Sequence, residues 1–348
     1  MNARWKQRPA QSTWGDFGPD DQLGRLNLLT AAKVREGITE VQTGETFCLS
    51  LPLDLPGGTA MNPRRPPPQL NATRRGEHAN MTYPLSRDNP QLSDVICDDS
   101  VTLALQYSTQ WDSLAHMGQW FDVNASGEPE MVFYNGYKAN VDIVGETDYR
   151  GGGCGCDHGS HLGAKALGIE NMAAHGMQGR AVMIDIKRHF GTDRFAFGYQ
   201  HLQQILQSDN IEVRPGDFVC FRTGMDEAIL AMQGEPDMAF LNSHFAGLDG
   251  SDAQLRDWIE SSGVVALIAD NPAVEILPAR PMNADFYPSH PLHDLCLFRL
   301  GVYLGELMLL SPLADWLAHH QRHAFLLTAP PLRLPGAVGS PATPVATV

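Results

Sequence analysis

The sequence predicts an α/β protein, and three observations carry the prediction. Short apolar runs of strand length recur through the second half of the chain, among them RAVMIDI at 180–186, FVCFR at 218–222 and the run at 264–268. Segments with helical apolar spacing and capping residues separate those runs. No linker divides the 348 residues, so the chain reads as one domain spanning 1–348. The composition suits a packed protein: 43 % apolar and 19 % charged residues are too apolar and too weakly charged for disorder. The net charge of −15 argues against a nucleic-acid partner, because phosphates call for a basic field. It also argues against an anionic membrane surface. The expected partner is a small-molecule substrate.

Taken in order, residues 1–29 read as a polar arm with the turn chemistry of WGDFGPDD. A helix is expected over 30–42, with Thr30 as N-cap and Gly44 beyond its end. A strand is expected over 46–53. Residues 54–100 are rich in proline and polar residues and lack periodicity, which fits a long loop serving as a lid. Arg64, Arg65, Arg74 and Arg75 make this loop basic within an acidic chain, either to capture a substrate carboxylate or simply to solvate the loop. Further on, strands are expected over 101–106, 180–186, 218–222, 264–268 and 324–327, and helices over 160–175, 199–207 and 293–300. Ser251, with Gln254 three residues on, reads as a capping box opening a helix that closes near Gly263.

The most apolar stretches, 263–269 and 300–310, are too short to span a bilayer, and the second carries Glu306. The N-terminus lacks the apolar core of a signal peptide. A cytoplasmic address is therefore expected, with Cys48, Cys97, Cys154, Cys156, Cys220 and Cys296 as thiols.

The segment richest in chemistry is LALQYSTQWDSLAHMGQWFD, which places Gln106, Gln110, Asp112 and His116 at even offsets. On an extended chain even offsets share a face, with Gln110 and Asp112 about 7 Å apart. Fully extended, Gln106 and His116 would lie about 33 Å apart, so the chain must turn if all four converge. A carboxylate beside an imidazole can hold a metal, or can act as a base with its orienting partner.

This segment resembles the HxGTHxDxPxH signature of the cyclase family, which includes bacterial kynurenine formamidase and isatin hydrolase. The motif aligns with Gln106, Tyr107, Ser108, Thr109, Gln110, Trp111, Asp112, Ser113, Leu114, Ala115 and His116. The blocks NLLTAAKV, VFYNGY, ALGIENMAAHGMQGRAVMIDI, VRPGDFVCFRTG, DNPAVE, PLHDLCLFRLGVYLGELMLL and GSPATPVA resemble the family too, in family order. The resemblance implies a single-domain α/β fold with a central β-barrel-like mixed sheet and outer helices. It also implies a homodimer or homotetramer, in which the N-terminal arm could exchange between subunits. The implied chemistry is hydrolysis of an amide or lactam by water on a divalent metal, usually zinc or manganese.

Carried over residue by residue, Asp112 matches the metal-binding aspartate and His116 the catalytic acid/base. Glu306 matches a distant glutamate. His293 is the nearest match to a distant histidine, although the spacing to Glu306 is slightly long. Gln106 and Gln110 stand where the family has two metal-binding histidines, Ser108 replaces the motif glycine and Leu114 the proline. An amide oxygen is a far poorer zinc ligand than imidazole. Two arrangements follow. A manganese, zinc or other divalent ion could be held by Asp112, Gln110, His293 and Glu306. Alternatively the site is metal-free, with His116 as base, Asp112 beside it, and the amides of Gln106 and Gln110 as oxyanion donors. Trp111 is expected to join these glutamines in binding substrate.

The expected function is hydrolysis of a C–N bond in a small amide, lactam or N-acyl substrate. The alternatives are a metal-free cyclase, lactone hydrolase or dehydratase, or a non-catalytic ligand-binding relative. Elsewhere, Cys154, Cys156, His158 and His161 raise a zinc site, but their spacing is too tight for two separate knuckles and a loop is the plainer reading. His290, Asp270 and the trio His319, His320 and His323 could each serve a site or merely cap and solvate helices. Trp111, Trp120, Phe121, Phe133 and Tyr134 could wall a planar substrate or fill the core.

Overall fold

The computed structural model describes residues 4–145, 162–281 and 287–348. Nine strands form its central mixed sheet: β1 (Thr46–Cys48), β2 (Gln110–Asp112), β3 (Gln178–Asp185), β4 (Phe218–Arg222), β5 (Ala266–Ala269), β6 (Tyr303–Glu306), β7 (Ala324–Thr328), β8 (Gly339–Pro341) and β9 (Val345–Thr347). Their order is β1-β9-β7-β3-β4-β5-β6-β2-β8, and the sheet curls into a half-barrel with helices around it. The run β3-β4-β5-β6 is parallel. The strands on either side pair antiparallel.

The parallel run is buried on both faces, so its strands are continuous apolar segments rather than alternating ones. Parallel neighbours need crossovers. After α1 (Ala31–Thr39) and α2 (Ile169–His175), the β3–β4 connection holds α3 (Ile186–Phe190) and α4 (Tyr199–Ser208). The β4–β5 connection holds α5 (Met225–Ala231), α6 (Met238–Ser243) and α7 (Ala253–Ser262). The β5–β6 connection holds α8 (Pro291–His293), which runs on into a π-helix over Asp294–Leu300. Helix α9 (Ser311–His319) follows β6. Among the described residues no helix is long and apolar enough to cross a membrane.

Several local expectations need correction. The strand expected over 46–53 stops at Cys48: Leu49 still donates to the Pro344 carbonyl in register, but Pro344 has no N–H to return, and the Leu51 N–H goes to the Thr109 hydroxyl instead. Residues 54–100 are not a featureless loop. Gln69–Ala72 pairs antiparallel with Asp99–Thr102, and two further hairpin pairs lie inside that ribbon. The strand expected over 101–106 is therefore the outgoing arm of the ribbon, and it ends before a turn in which the Tyr107 N–H reaches the Ala104 carbonyl. Of the helix expected over 160–175, the described residues 162–175 form helix only at Ile169–His175, while Gly163–Ala164 pairs with Ile143–Val144. Asp252, not Ser251, caps α7, accepting from the N–H groups of Gln254 and Leu255. In the N-terminal arm Trp14 is buried, its indole N–H donates to the Phe298 carbonyl, and its ring meets Phe121 and Phe298 edge-on.

Asp270, the strand-end carboxylate, is buried and accepts hydrogen bonds from the backbone of Thr223 and Gly224 and from the Thr223 hydroxyl. It fastens the turn between β4 and α5. Tyr134 is buried and Trp120 exposed, and Phe121 packs on Phe298, so these aromatics do not wall a site. His320 stacks on Trp316.

The sheet is tied to α1 by a buried charge network. Asp217 accepts from the Lys33 ammonium at 3.1 Å, the Arg214 N–H at 2.9 Å and the Arg180 guanidinium. Removing one member of a buried network leaves the others charged and unpaired. Asp217→Ala should therefore cost roughly 3–5 kcal/mol of stability, read as a shift in a urea unfolding midpoint. A loss under ~1 kcal/mol would show that the two cations find water instead.

Candidate functional site

The β6–β2–β8 end of the sheet builds the site. Glu306 is the last residue of β6 and lies opposite Gln110 of β2, while Leu304 lies opposite Asp112. Residues opposite one another share a face, and strand alternation sends the residue between them to the other side. Gln110, Asp112 and Glu306 therefore face one way and Trp111 the other. Trp111 is fully buried, its indole N–H donating to the Ala329 carbonyl at 2.9 Å. A Cβ on Gly305, opposite it, would lie 2.9 Å from the Trp111 ring, so only glycine fits there without repacking. Trp111 belongs to the core, which corrects its expected substrate-binding role.

After β2 the chain turns tightly, with the His116 N–H donating to the Ser113 carbonyl. This turn returns the His116 ring to 3.7 Å from Asp112 Oδ2, too long for a hydrogen bond but close enough for its charge to act. His293 arrives from α8. Its Nδ1 lies 2.8 Å from Glu275 Oε1, and its Nε2 lies 3.4 Å from Glu306 and 3.9 Å from Asp112. Asp112, His293 and Glu306 can bring one ligand atom each within 4.8 Å of one another, and all three are buried.

Glu275 was not foreseen. It accepts from the backbone N–H groups of Leu292 and His293 as well as from the His293 ring. One carboxylate thus fixes both the start of α8 and the orientation of the imidazole. Ala273 and Val274, just before it, have φ of 72° and 59°. Left-handed backbone at a β-branched residue is strained, and such strain gathers at functional sites. The sequence offers only a lone glutamate in the apolar run PAVEIL as a sign of this.

Burial pushes the Asp112 carboxyl up to about 6; Glu306 adds to the shift, while His116 and His293 oppose it. Burial would lower the His293 pKa, but hydrogen bonds to Glu275 and Glu306 overcome it and raise the group to about 10. Burial also works against ionisation of Glu306, yet the His293 contact holds its carboxyl below the usual range. His290 is lowered by burial and by the neighbouring His293.

Neither Asp112 oxygen has a hydrogen-bond partner, nor does the Gln110 carbonyl oxygen, among the described residues. Buried oxygens left unpaired beside a second carboxylate are what a cation would satisfy. The donors fit a divalent ion that prefers oxygen: two carboxylates, one amide carbonyl, and a single imidazole Nε2 steered by its own carboxylate partner. They suit zinc less well, since only one nitrogen is present.

Above the cluster opens a cleft of about 480 Å³. His116, His290, His293, Glu306 and Gln106 line it, together with residues 56–65 and the segment following β5. Gln106 packs against Gly339, where a Cβ would sit 2.4 Å from its amide nitrogen. Gln110 does not reach the cleft: it is fully buried and donates to Glu306 Oε2 at 2.9 Å. Its expected role as an oxyanion donor is therefore corrected. Of the loop arginines, Arg64 and Arg65 line the cleft, whereas Arg75 pairs with Asp88. Cys154, Cys156, His158 and His161 lie outside the described residues.

A family model described as a putative cyclase matches residues 79–276. A crystal structure described as a novel cyclase has TM-score 0.73 and 30 % identity, covering 97 % of this chain and 97 % of that one. The chain belongs to the cyclase family. Other solved members of this likeness are isatin hydrolase A from Labrenzia aggregata bound to benzyl benzoate, with TM-score 0.52 and 16 % identity over 87 % of this chain and 93 % of that one. An isatin hydrolase bound to the product analogue thioisatinate has TM-score 0.52 and 16 % identity over 92 % and 99 %. At that identity the likeness is one of fold. The comparison with curated proteins gives no match.

The cyclase-family cluster has a pH signature. His293 binds its proton up to about 10 in the folded chain and to about 6.5 when unfolded, so its stabilisation is complete below pH ~6.5 and fades as pH rises towards ~10. With chelator present, urea unfolding of the wild type should lose stability across that window. Glu275→Gln should flatten the decline, and equal slopes would show that Glu275 does not hold the His293 proton.

Proposed function

We propose that this cyclase-family protein hydrolyses a C–N bond of a small amide, lactam or N-acyl substrate at the Asp112–His293–Glu306 cluster. The observation that carries the reading is the buried, unpartnered Asp112 carboxylate beside Glu306 and the His293 Nε2, beneath an open cleft. The isatin hydrolases among the solved structures support a cyclic amide as the first substrate to try.

Asp112, His293, Glu306 and the Gln110 carbonyl would hold the divalent cation, manganese before zinc given the single nitrogen. When bound, the cation supplies Lewis acidity to the scissile carbonyl and to water. His116, partly exposed at the cleft floor, takes the proton from the attacking water and returns it to the leaving nitrogen. Gln106 lines the cleft, and its amide is the candidate hydrogen-bond donor to the substrate carbonyl. Glu275 positions His293 rather than touching substrate.

One observation favours a second, metal-free reading. The His293 ring stands between Glu275 and Glu306, 2.8 and 3.4 Å from them, where an imidazolium would offset part of the cluster's charge without an ion. His116 would then act as base on a lactone or a cyclisation substrate.

Opening of isatin and hydrolysis of formanilide, followed by absorbance, separate the two. Under the first reading, chelation abolishes turnover and Mn²⁺ restores it. His116→Ala should lower kcat/KM about 100-fold or more, with Asp112→Asn and Glu306→Gln falling at least as far and losing metal on mass spectrometry. Turnover that survives chelation yet falls in His116→Ala would favour the metal-free site. No turnover of any amide, lactam or lactone would sink both.

A further inference from the structure

The acidic floor of the cleft faces a basic wall. Arg64 and Arg65 enter from the 56–65 segment and Arg194 from the segment after α3. Among the described residues none of the three pairs with a carboxylate, although Arg194 donates to the Leu277 carbonyl. In a chain of net charge −15, unpaired arginines gathered at one cleft call for an occupant. Arg65 is the best placed. It is half-buried, Nη1 donates to the Gln106 carbonyl at 2.8 Å, and its charge acts on both Asp112 and Glu306. One N–H is thereby anchored, and the other donors of the planar fork make no hydrogen bond among the described residues, a geometry that suits a bidentate carboxylate. The cleft is otherwise apolar on one side, where Met61, Met225, Met238, Leu241 and Phe245 line it.

We propose that the cleft selects substrates bearing a carboxylate on an apolar body, separate from the scissile amide, and that Arg65 binds that carboxylate. The proposal rests on the hydrolase reading for the identity of the reacting bond and deepens it. A singly charged carboxylate is preferred over a phosphate because Asp112, Glu275 and Glu306 lie below and repel a dianion more strongly. Arg64 and Arg194, both exposed, draw the anion to the mouth, and Arg65 fixes it.

The test is a calorimetric titration of the protein as purified with two probes of one shape, 4-phenylbutyrate and 4-phenylbutan-1-ol. The wild type should bind the acid about tenfold or more tightly than the alcohol. Arg65→Gln keeps an N–H for the Gln106 carbonyl but removes the charge, and the ratio should fall to about one. Arg65→Lys, which keeps the charge and loses the fork, should fall between. Equal binding of the two probes by the wild type overturns the proposal. So does an acid preference that Arg65→Gln leaves untouched, since the carboxylate would then sit on the cluster instead. Because binding is read without turnover, hydrolysis can fail while the acid preference stands, and the preference can fail while chelator-sensitive hydrolysis stands.

Discussion

Asp112 is the group on which the rest of the site depends. Its carboxylate is wholly buried, accepts no hydrogen bond among the described residues, and shares its space with Glu306. An isolated carboxylate moved out of water is costly enough that it ordinarily takes a proton instead. The rise of Asp112 to about 6 expresses that pressure. Around it stand Glu306 and Glu275 with the His293 imidazole between them, and the charge of Arg65 acts on Asp112 and Glu306 from the cleft wall. The cluster has two ways to balance: a proton on Asp112 with His293 as imidazolium, or a divalent cation with His293 neutral. The second requires His293 to release its Nε2 proton, so ion and proton compete for the same lone pair. Glu275 serves either state, because a carboxylate on Nδ1 steadies an imidazolium and equally orients a neutral ligand.

The fold was legible where burial is complete. The strand at 218–222 and the helix opening after Thr30 can be read directly, because a two-sided buried strand is an unbroken apolar run and a cap is a local signal. The ribbon inside 54–100 was not legible, since its strands are two to four residues long and mostly exposed. Pairing of so few polar residues leaves no periodicity to detect. The π-helix over Asp294–Leu300 keeps an apolar pattern close to that of an α-helix, so its register was invisible although its place was not.

The site was legible in part for a different reason. Asp112 and His116 emerged from the family signature, Glu306 and His293 from matches to distant family residues, and the structure gathers all four. Trp111 was misjudged although the rule that corrects it, alternation along a strand, was already in the spacing of Gln110 and Asp112. Glu275 escaped because its importance lies in a backbone conformation, left-handed at Ala273 and Val274, that no glycine advertises. Arg65 could be seen only as one of four loop arginines, and three-dimensional placement separates it from Arg75, which is spent on Asp88.

The two glutamines that replace the family's motif histidines are not equivalent, and the difference bears on which ion the site can hold. Gln110 gives its amide N–H to Glu306, which turns the one remaining polar atom, its carbonyl oxygen, into an acceptor without a partner. A histidine there would offer nitrogen; this glutamine can offer only oxygen, and in donating to Glu306 it also draws off some of that carboxylate's charge. With Asp112 and Glu306 this leaves an oxygen-dominated set around one imidazole, which favours manganese or magnesium over zinc. Gln106 has no such commitment. Its backbone carbonyl is taken by Arg65, while its side chain rests on Gly339 at the cleft wall and its amide donates no hydrogen bond among the described residues. One replacement thus changes what the cluster can bind, and the other changes what the cleft can offer a substrate carbonyl.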